Sequence, residues 1–353
     1  MKPYLLSEYG NASQPYSFSR TPKKALTDAR QMIAQCINAE PDEIFFTSGG
    51  TESDNWAIKG VAFASSVCKN IITSAFEHHA VIRAVESVNY MGHPVSYIQP
   101  EPTGVIHPDS LRQIISQDTC LTSIMMSNNE IGTIQPIREL AKIAHEHGSL
   151  FHTDAVQSVG HIPIDVKELD IDLLSASAHK FNGPKGIGFL YIKRGTNIDP
   201  LLNGGSQEYG FRAGTENIAA IIGMAIALKK NCDDITTNTT HILRLENILL
   251  TKLTESGINF SRNGIGETVP GNMSLSFPGF EGEALLHRLD LMGILVSTGS
   301  ACDSKNTQIS HVLRAISADN KSALGTIRIS LGKDNTLDEV CTIANSLIKI
   351  IAP

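Results

Sequence analysis

The sequence predicts an α/β fold: a large domain with a mostly parallel sheet flanked by helices, followed by a smaller α+β domain. Three observations lead there. From residue 19 to about 200, short apolar runs alternate with amphipathic stretches, the rhythm of a parallel sheet whose crossovers are helices. A glycine-rich stretch, Gly204 to Gly214, breaks that rhythm, and a long helical region follows it to about Glu255. With 353 residues, the chain has room for two domains and a large core.

In order, strands are predicted at Ile44 to Phe46, Asn70 to Thr73, Val95 to Ile98, Leu121 to Met126, Leu150 to His152, Leu173 to Ser175 and Gly188 to Ile192. Helices are predicted at Ser53 to Ala64, Ala80 to Tyr90, Asp109 to Ser116 and Arg138 to Glu146. The second domain reads as strands near Met273 to Phe277, Gly293 to Ser297 and Thr326 to Leu331, with helices near Gly282 to Asp290 and Leu337 to Ile351. We therefore divide the chain into a large domain, 1–233, and a small one, 234–353. No repeat, low-complexity tract or compositional linker separates them.

Charge and hydropathy exclude several classes. Apolar residues make up 41% and charged residues 18%, so the chain is not intrinsically disordered. The net charge of −7 and the lack of a basic stripe argue against nucleic-acid or anionic-membrane binding. The longest apolar run, Ile218 to Leu228, has 11 residues and contains Gly223, well short of the roughly 20 that a bilayer needs. Met1-Lys2-Pro3-Tyr4 does not open like a signal peptide, and six scattered cysteines without a CxxC pair fit reduced thiols, so a cytoplasmic protein is expected. A metal site at His78, His79 or His145-Glu146-His147 lacks HxxxH or HExxH spacing and is not expected.

Three segments carry chemistry. Thr47-Ser48-Gly49-Gly50-Thr51-Glu52 follows a strand and opens a helix, presenting amides that suit a phosphate, although standing alone it reads first as a Ser/Thr helix cap. His152 to Gln157 puts Asp154 and Gln157 at a strand end, where ligands sit in this architecture; a structural buried Asp would look the same. Ser175 to Gly186 places Lys180 in a small-residue loop with Ser177 and His179 beside it. Together, a phosphate cradle, an Asp to pair with a ring nitrogen and a Schiff-base lysine meet the three needs of pyridoxal 5'-phosphate (PLP). Glu77-His78-His79 adds an imidazole able to stack on the ring.

These segments resemble the NifS/IscS-type cysteine desulfurases, class V aminotransferases of the fold-type I PLP enzymes. The shared stretches are Thr47 to Asn55, Glu77 to Val81, Asn128-Asn129-Glu130-Ile131-Gly132, Asp154 to Val159, Ala178-His179-Lys180 with Gly183 to Gly186, Gly204 to Glu208, Arg212 to Asn217 and Thr298 to Cys302. They run in family order through most of the chain.

The resemblance implies that Lys180 holds PLP, Asp154 pairs with the pyridine nitrogen, Gln157 bonds the ring hydroxyl oxygen and His78 stacks. Gly50, Thr51, Ser177 and His179 would bind the phosphate, with Thr215 contributed by the second subunit of a homodimer. Asn129, beside the cofactor, and Arg328 would grip the carboxylate of L-cysteine, and Cys302 would take the sulfur as a persulfide and leave L-alanine. An acceptor protein, an iron–sulfur scaffold or a tRNA-thiolation protein, would receive it. Cys302 lies in a Gly/Ser/Thr/Asn/Asp-rich loop, which favours exposure over burial, and Asp303 beside it disfavours the thiolate.

Two features depart from the family pattern. Residues 1–13 resemble the segment after the family's usual first strand, so a looser pocket is expected, and the chain ends at Pro353 without the longer tail of some relatives. Selenocysteine lyase and plain aminotransferase are the nearest alternative activities, and a non-catalytic partner with the same fold is a third possibility. Cys302 disfavours the aminotransferase. The joint presence of Lys180, Asp154, His78 and Cys302 speaks against the non-catalytic partner.

Overall fold

The computed structural model describes residues 1–299 and 309–352. Its strands are β1 (Ile44–Thr47), β2 (Asn70–Ser74), β3 (Val95–Ile98), β4 (Thr119–Ser123), β5 (Leu150–Asp154), β6 (Leu173–Ser177), β7 (Gly188–Ile192), β8 (Ser261–Asn263), β9 (Asn272–Ser276) and β10 (Thr326–Ser330). The chain divides into two compact units. One comprises Met1–Ile98, Pro108–Met126 and Gln135–Asp233; the other comprises Gln99–His107, Ser127–Ile134 and Asp234–Pro353.

In the first unit, seven strands form one sheet in the order β1-β7-β6-β5-β4-β2-β3. Neighbours from β6 to β3 pair in parallel, and β7 runs against both β6 and β1. Every residue of β1, β6 and β7 is buried, as the near-continuous apolar runs of a sheet covered on both faces require. All seven strands expected between residues 44 and 192 are present. Helix Gly50–Ala64 lays Trp56, Ile58 and Val61 into a core shared with Val81, Val85 and Val88 of helix His79–Tyr90 and with Leu121, Leu173 and Leu190 of the sheet. Because β1, β2, β4, β5 and β6 share one direction, their carboxyl ends bring Thr47, Ser74, Ser123, Asp154 and Ser177 to one edge, where open α/β sheets bind ligands.

The second unit holds a three-stranded antiparallel sheet in the order β10-β9-β8. Leu275, Phe277, Ile327 and Ile329 meet Leu249 and Leu253 of helix Ile235–Glu255 and Val340 and Leu347 of helix Leu337–Ile351. A capping box starts the last helix: Thr336 Oγ1 accepts from the Glu339 amide at 3.3 Å and Glu339 Oε2 from the Thr336 amide at 2.8 Å. The strand expected at Gly293 to Ser297 is not formed. Ser297 alone bridges Arg328, while Ile294 and Val296 pack against the core without a ladder. The third strand is instead the short polar β8. Among the described residues, no helix is long and apolar enough to cross a membrane.

Candidate active site

The turn after β1 is shaped by glycine. Gly49 adopts φ +150°, and a Cβ on Gly188 would fall 2.8 Å from the Gly49 Cα, so the turn lies directly on the β6–β7 pair. A Cβ on Gly50 would come 2.7 Å from Val156 Cγ2, which makes a side chain there equally unwelcome. The first intrahelical bond runs from Ser53 N to Gly49 O at 3.1 Å, leaving the preceding amides of the first turn without helical acceptors. Beside them, Ser177 Oγ and His179 Nδ1 hydrogen-bond at 2.9 Å. Burial, then the charges of Lys180 and Lys185, lower the His179 pKa. Thr51 is exposed at the same helix end. The cradle offers amides and hydroxyls to an anion.

A second anchor holds this turn. Arg212 donates to both oxygens of Glu52, at 2.8 Å to Oε1 and 3.1 Å to Oε2, and Oε2 also accepts from the Ser48 amide at 2.7 Å. Burial alone would raise the Glu52 pKa, but Arg212 and the Ser48 contact outweigh it and the net shift is downward. The segment that bears Thr215 is thereby tied to the first turn of helix Gly50–Ala64, and Thr215 is exposed in a pocket with Thr47, Ser48 and Arg212.

At the ends of β5 and β6 the expected residues converge. Asp154 is buried, accepts from the Val156 amide at 2.9 Å and is pushed up to about 6 by burial, against the Lys180 charge that favours its anion. His78, Asp154 and Asp54 each bring a polar side-chain atom within 4.8 Å of the others. The Nδ1 of His78 accepts from the Ala80 amide at 3.1 Å, capping helix His79–Tyr90. Burial, then His79 and Lys180, lower its pKa, so the imidazole is neutral with its proton on Nε2. The carbonyl of Lys180 accepts from His161 Nε2 at 2.8 Å, fixing the backbone from which the ammonium extends. Gln157 is half-buried three residues beyond Asp154.

In the second unit, Asn129 and Arg328 come together: Arg328 Nη1 donates to the Asn129 carbonyl at 2.9 Å. The buried Asn129 Oδ1 has no hydrogen-bond partner among the described residues. Cys302 lies outside the described residues.

Three buried carboxyls had been given no role from the sequence. Asp54 is pushed far up by burial and then by Asp154. Glu77 accepts from Ser74 Oγ at 2.5 Å and the Met125 amide at 2.9 Å, and burial lifts it to about 8. Burial lifts Glu130 to about 7. All three lie inside the shared stretches, which was the available signal; only the fold reveals that they are buried.

A cofactor with an anionic tail and a basic ring nitrogen fits the residues of the first unit. They supply an amide-and-hydroxyl cradle whose glycines exclude side chains, a buried acid near a lysine, and a neutral imidazole. The comparisons agree. The profile of the Aminotransferase class-V family matches residues 1–343. A cysteine desulfurase IscS of Dictyoglomus turgidum is 47% identical over 353 residues, covering 99% of this chain and 90% of that protein. Among solved structures, a NifS-like protein superposes with a TM-score of 0.93 at 35% identity, covering 99% of this chain and 94% of the other. SspA in complex with cysteine gives 0.82 at 33% identity, with coverage of 95% and 94%. The chain belongs to the class V aminotransferase family and, within it, to the NifS/IscS-type cysteine desulfurases.

Proposed function

We propose that this chain is a PLP-dependent cysteine desulfurase that converts L-cysteine and the Cys302 thiol into L-alanine and a Cys302 persulfide. The observation that carries this reading is the convergence of Asp154, His78 and the Lys180 loop at the strand ends beside the Gly49–Gly50 cradle. When bound, PLP supplies an electron sink that loosens bonds at the substrate Cα and, through it, the Cβ–S bond.

The residues supply the rest. The cradle amides, Thr51, Ser177 and His179 hold the phosphate. Asp154 would keep a proton on the ring nitrogen, Gln157 would bond the ring hydroxyl oxygen and His78 would cover the ring face. The Lys180 amine would anchor the cofactor and would move a proton at the substrate Cα. Arg328 suits the substrate carboxylate because a guanidinium binds it bidentately, and Asn129 offers its side-chain amide. The Cys302 thiolate then attacks the substrate sulfur.

The active form is a cytoplasmic homodimer in which Thr215 serves the phosphate site of the second copy. An iron–sulfur scaffold or a tRNA-thiolation protein takes the sulfur from Cys302.

The test is the purified protein. A yellow, borohydride-reducible chromophore and equimolar alanine and sulfide from L-cysteine with a thiol reductant support the reading. A colourless protein that binds no added PLP, or turnover of selenocysteine alone, contradicts it.

A further inference from the structure

Glu52 is an acid placed inside an anion cradle. It belongs to the first turn of helix Gly50–Ala64, and its Oε2 accepts from the Ser48 amide at 2.7 Å, which binds the carboxylate into the turn itself. The Ser48 amide is thereby occupied. The amides of Gly50, Thr51 and Glu52 precede the first intrahelical bond, from Ser53 N to Gly49 O, and have no acceptor within the helix. A carboxylate in this turn competes with a bound phosphate for the positive end of the helix dipole and repels it directly.

Arg212 answers that charge. Its Nε donates to Oε1 at 2.8 Å and its Nη2 to Oε2 at 3.1 Å, with side-chain exposures of 21% for Arg212 and 12% for Glu52. A two-point pair this far from water holds its geometry and is screened less than a surface pair. Glu208 also acts on the Arg212 charge, but Arg30 holds Glu208 at 2.6 and 2.9 Å, so each acid has its own guanidinium.

We propose that Arg212 is a positioning residue for the cofactor phosphate: acting through Glu52, it cancels the one acidic charge in the first turn of helix Gly50–Ala64 and so makes the cradle prefer a phosphorylated ligand. This rests on the reading of that turn as the phosphate site. A role exerted through charge touches the phosphate and not the ring, and it is relieved when the Glu52 charge is removed as well.

The experiment measures the dissociation constants of PLP and of pyridoxal, which lacks the phosphate, by titrating the full chain freed of cofactor and following the cofactor absorbance. Wild type is compared with Arg212→Gln, Glu52→Gln and the double variant. Arg212→Gln is expected to weaken PLP by about tenfold or more and pyridoxal by no more than about threefold. Glu52→Gln keeps an acceptor for the Ser48 amide, leaves Arg212 cationic and should hold the preference for PLP at or above the wild-type level. The double variant carries neither charge and should recover PLP affinity to within about threefold of wild type. Added salt should narrow the gap between Arg212→Gln and wild type.

Wild-type PLP affinity in Arg212→Gln overturns the proposal, as does equal weakening of PLP and pyridoxal, the mark of a purely structural role. So does a double variant that binds PLP no better than Arg212→Gln, the result expected if Arg212 serves only to place Thr215. Should Arg212→Gln not fold, Glu52→Gln decides, and a preference for PLP below wild type there overturns the proposal. If wild-type protein binds pyridoxal as tightly as PLP, the cradle assignment has failed and the proposal falls with it.

Discussion

Asp54 Oδ1 lies 3.8 Å from His152 Nε2, both side chains are fully buried, and the pair is not an ion pair. Burial drives the His152 pKa down to about 3, so near neutrality its imidazole is neutral, and burial and then Asp154 push the Asp54 carboxyl well above the ordinary carboxylate range. His152 is satisfied from its neighbours, by Ser123 Oγ at 2.8 Å and Ser175 Oγ at 3.0 Å, which fixes a polar row across β4, β5 and β6 directly behind Asp154.

Because burial disfavours a charge at position 54, Asp54→Asn, which puts a neutral amide of similar shape there, should change stability by no more than about 1 kcal/mol. Asp154→Asn removes the charge proposed to pair with the ring nitrogen and should cost activity by orders of magnitude at similar stability. Thermal unfolding and kcat measured on both variants check the contrast; an Asp54→Asn protein as inactive as Asp154→Asn would contradict it.

Glu77 makes stability depend on pH. Its pKa in the folded protein is about 8 against an ordinary 4.5, so between those values the native state keeps a proton that the unfolded chain releases. Its contribution is fully present below about pH 4.5 and is lost as the pH rises through about 8. The melting temperature of cofactor-free protein should therefore fall from pH 5 to pH 8, and Glu77→Gln should flatten that fall. Parallel profiles for the two proteins would show that Glu77 is not the source.

Arg30 and Glu208 form a buried bidentate pair at 2.6 and 2.9 Å, with side-chain exposures of 8% and 3%. Glu208 also accepts from the Phe46 amide at 2.9 Å, and both it and Tyr209 adopt positive φ, at 47° and 58°. This pair anchors the segment bearing Arg212 and Thr215 to β1. Arg30→Met leaves the carboxylate buried without its cation and should destabilise by about 3–5 kcal/mol. Denaturant unfolding should show the loss, accompanied by weaker PLP retention; a variant as stable as wild type would contradict the role.

Strand positions in the large sheet were legible because most are short apolar runs set off by amphipathic helices or turns, a pattern that burial on both faces forces on a chain. β8, Ser261–Asn263, was not legible, since three polar residues leave no hydropathy trace. Gly293 to Ser297 misled for the opposite reason: Ile294 and Val296 alternate inward as strand residues do, yet their burial is against the core and not in a ladder. The cradle, Asp154 and Lys180 could be read locally because each sits at or just after the carboxyl end of its own strand. Asp54, Glu77 and Glu130 could not, because their importance lies in long-range burial that no local pattern encodes. Membership of residues 99–107 and 127–134 in the second unit is likewise set by non-local packing.

The central claim is that Lys180 and Cys302 perform separable steps, and one measurement tests it most directly: mass spectrometry of the Cys302 peptide after a single addition of L-cysteine, read beside the cofactor spectrum. Wild-type protein should gain one sulfur atom on that peptide. Cys302→Ser should stay yellow and gain none, because a serine hydroxyl offers almost no anion near pH 7. Lys180→Ala should lose both the Lys-bound chromophore and the sulfur. Sulfur found instead on Cys36, Cys68, Cys120, Cys232 or Cys341, or normal turnover by Cys302→Ser, would contradict the account.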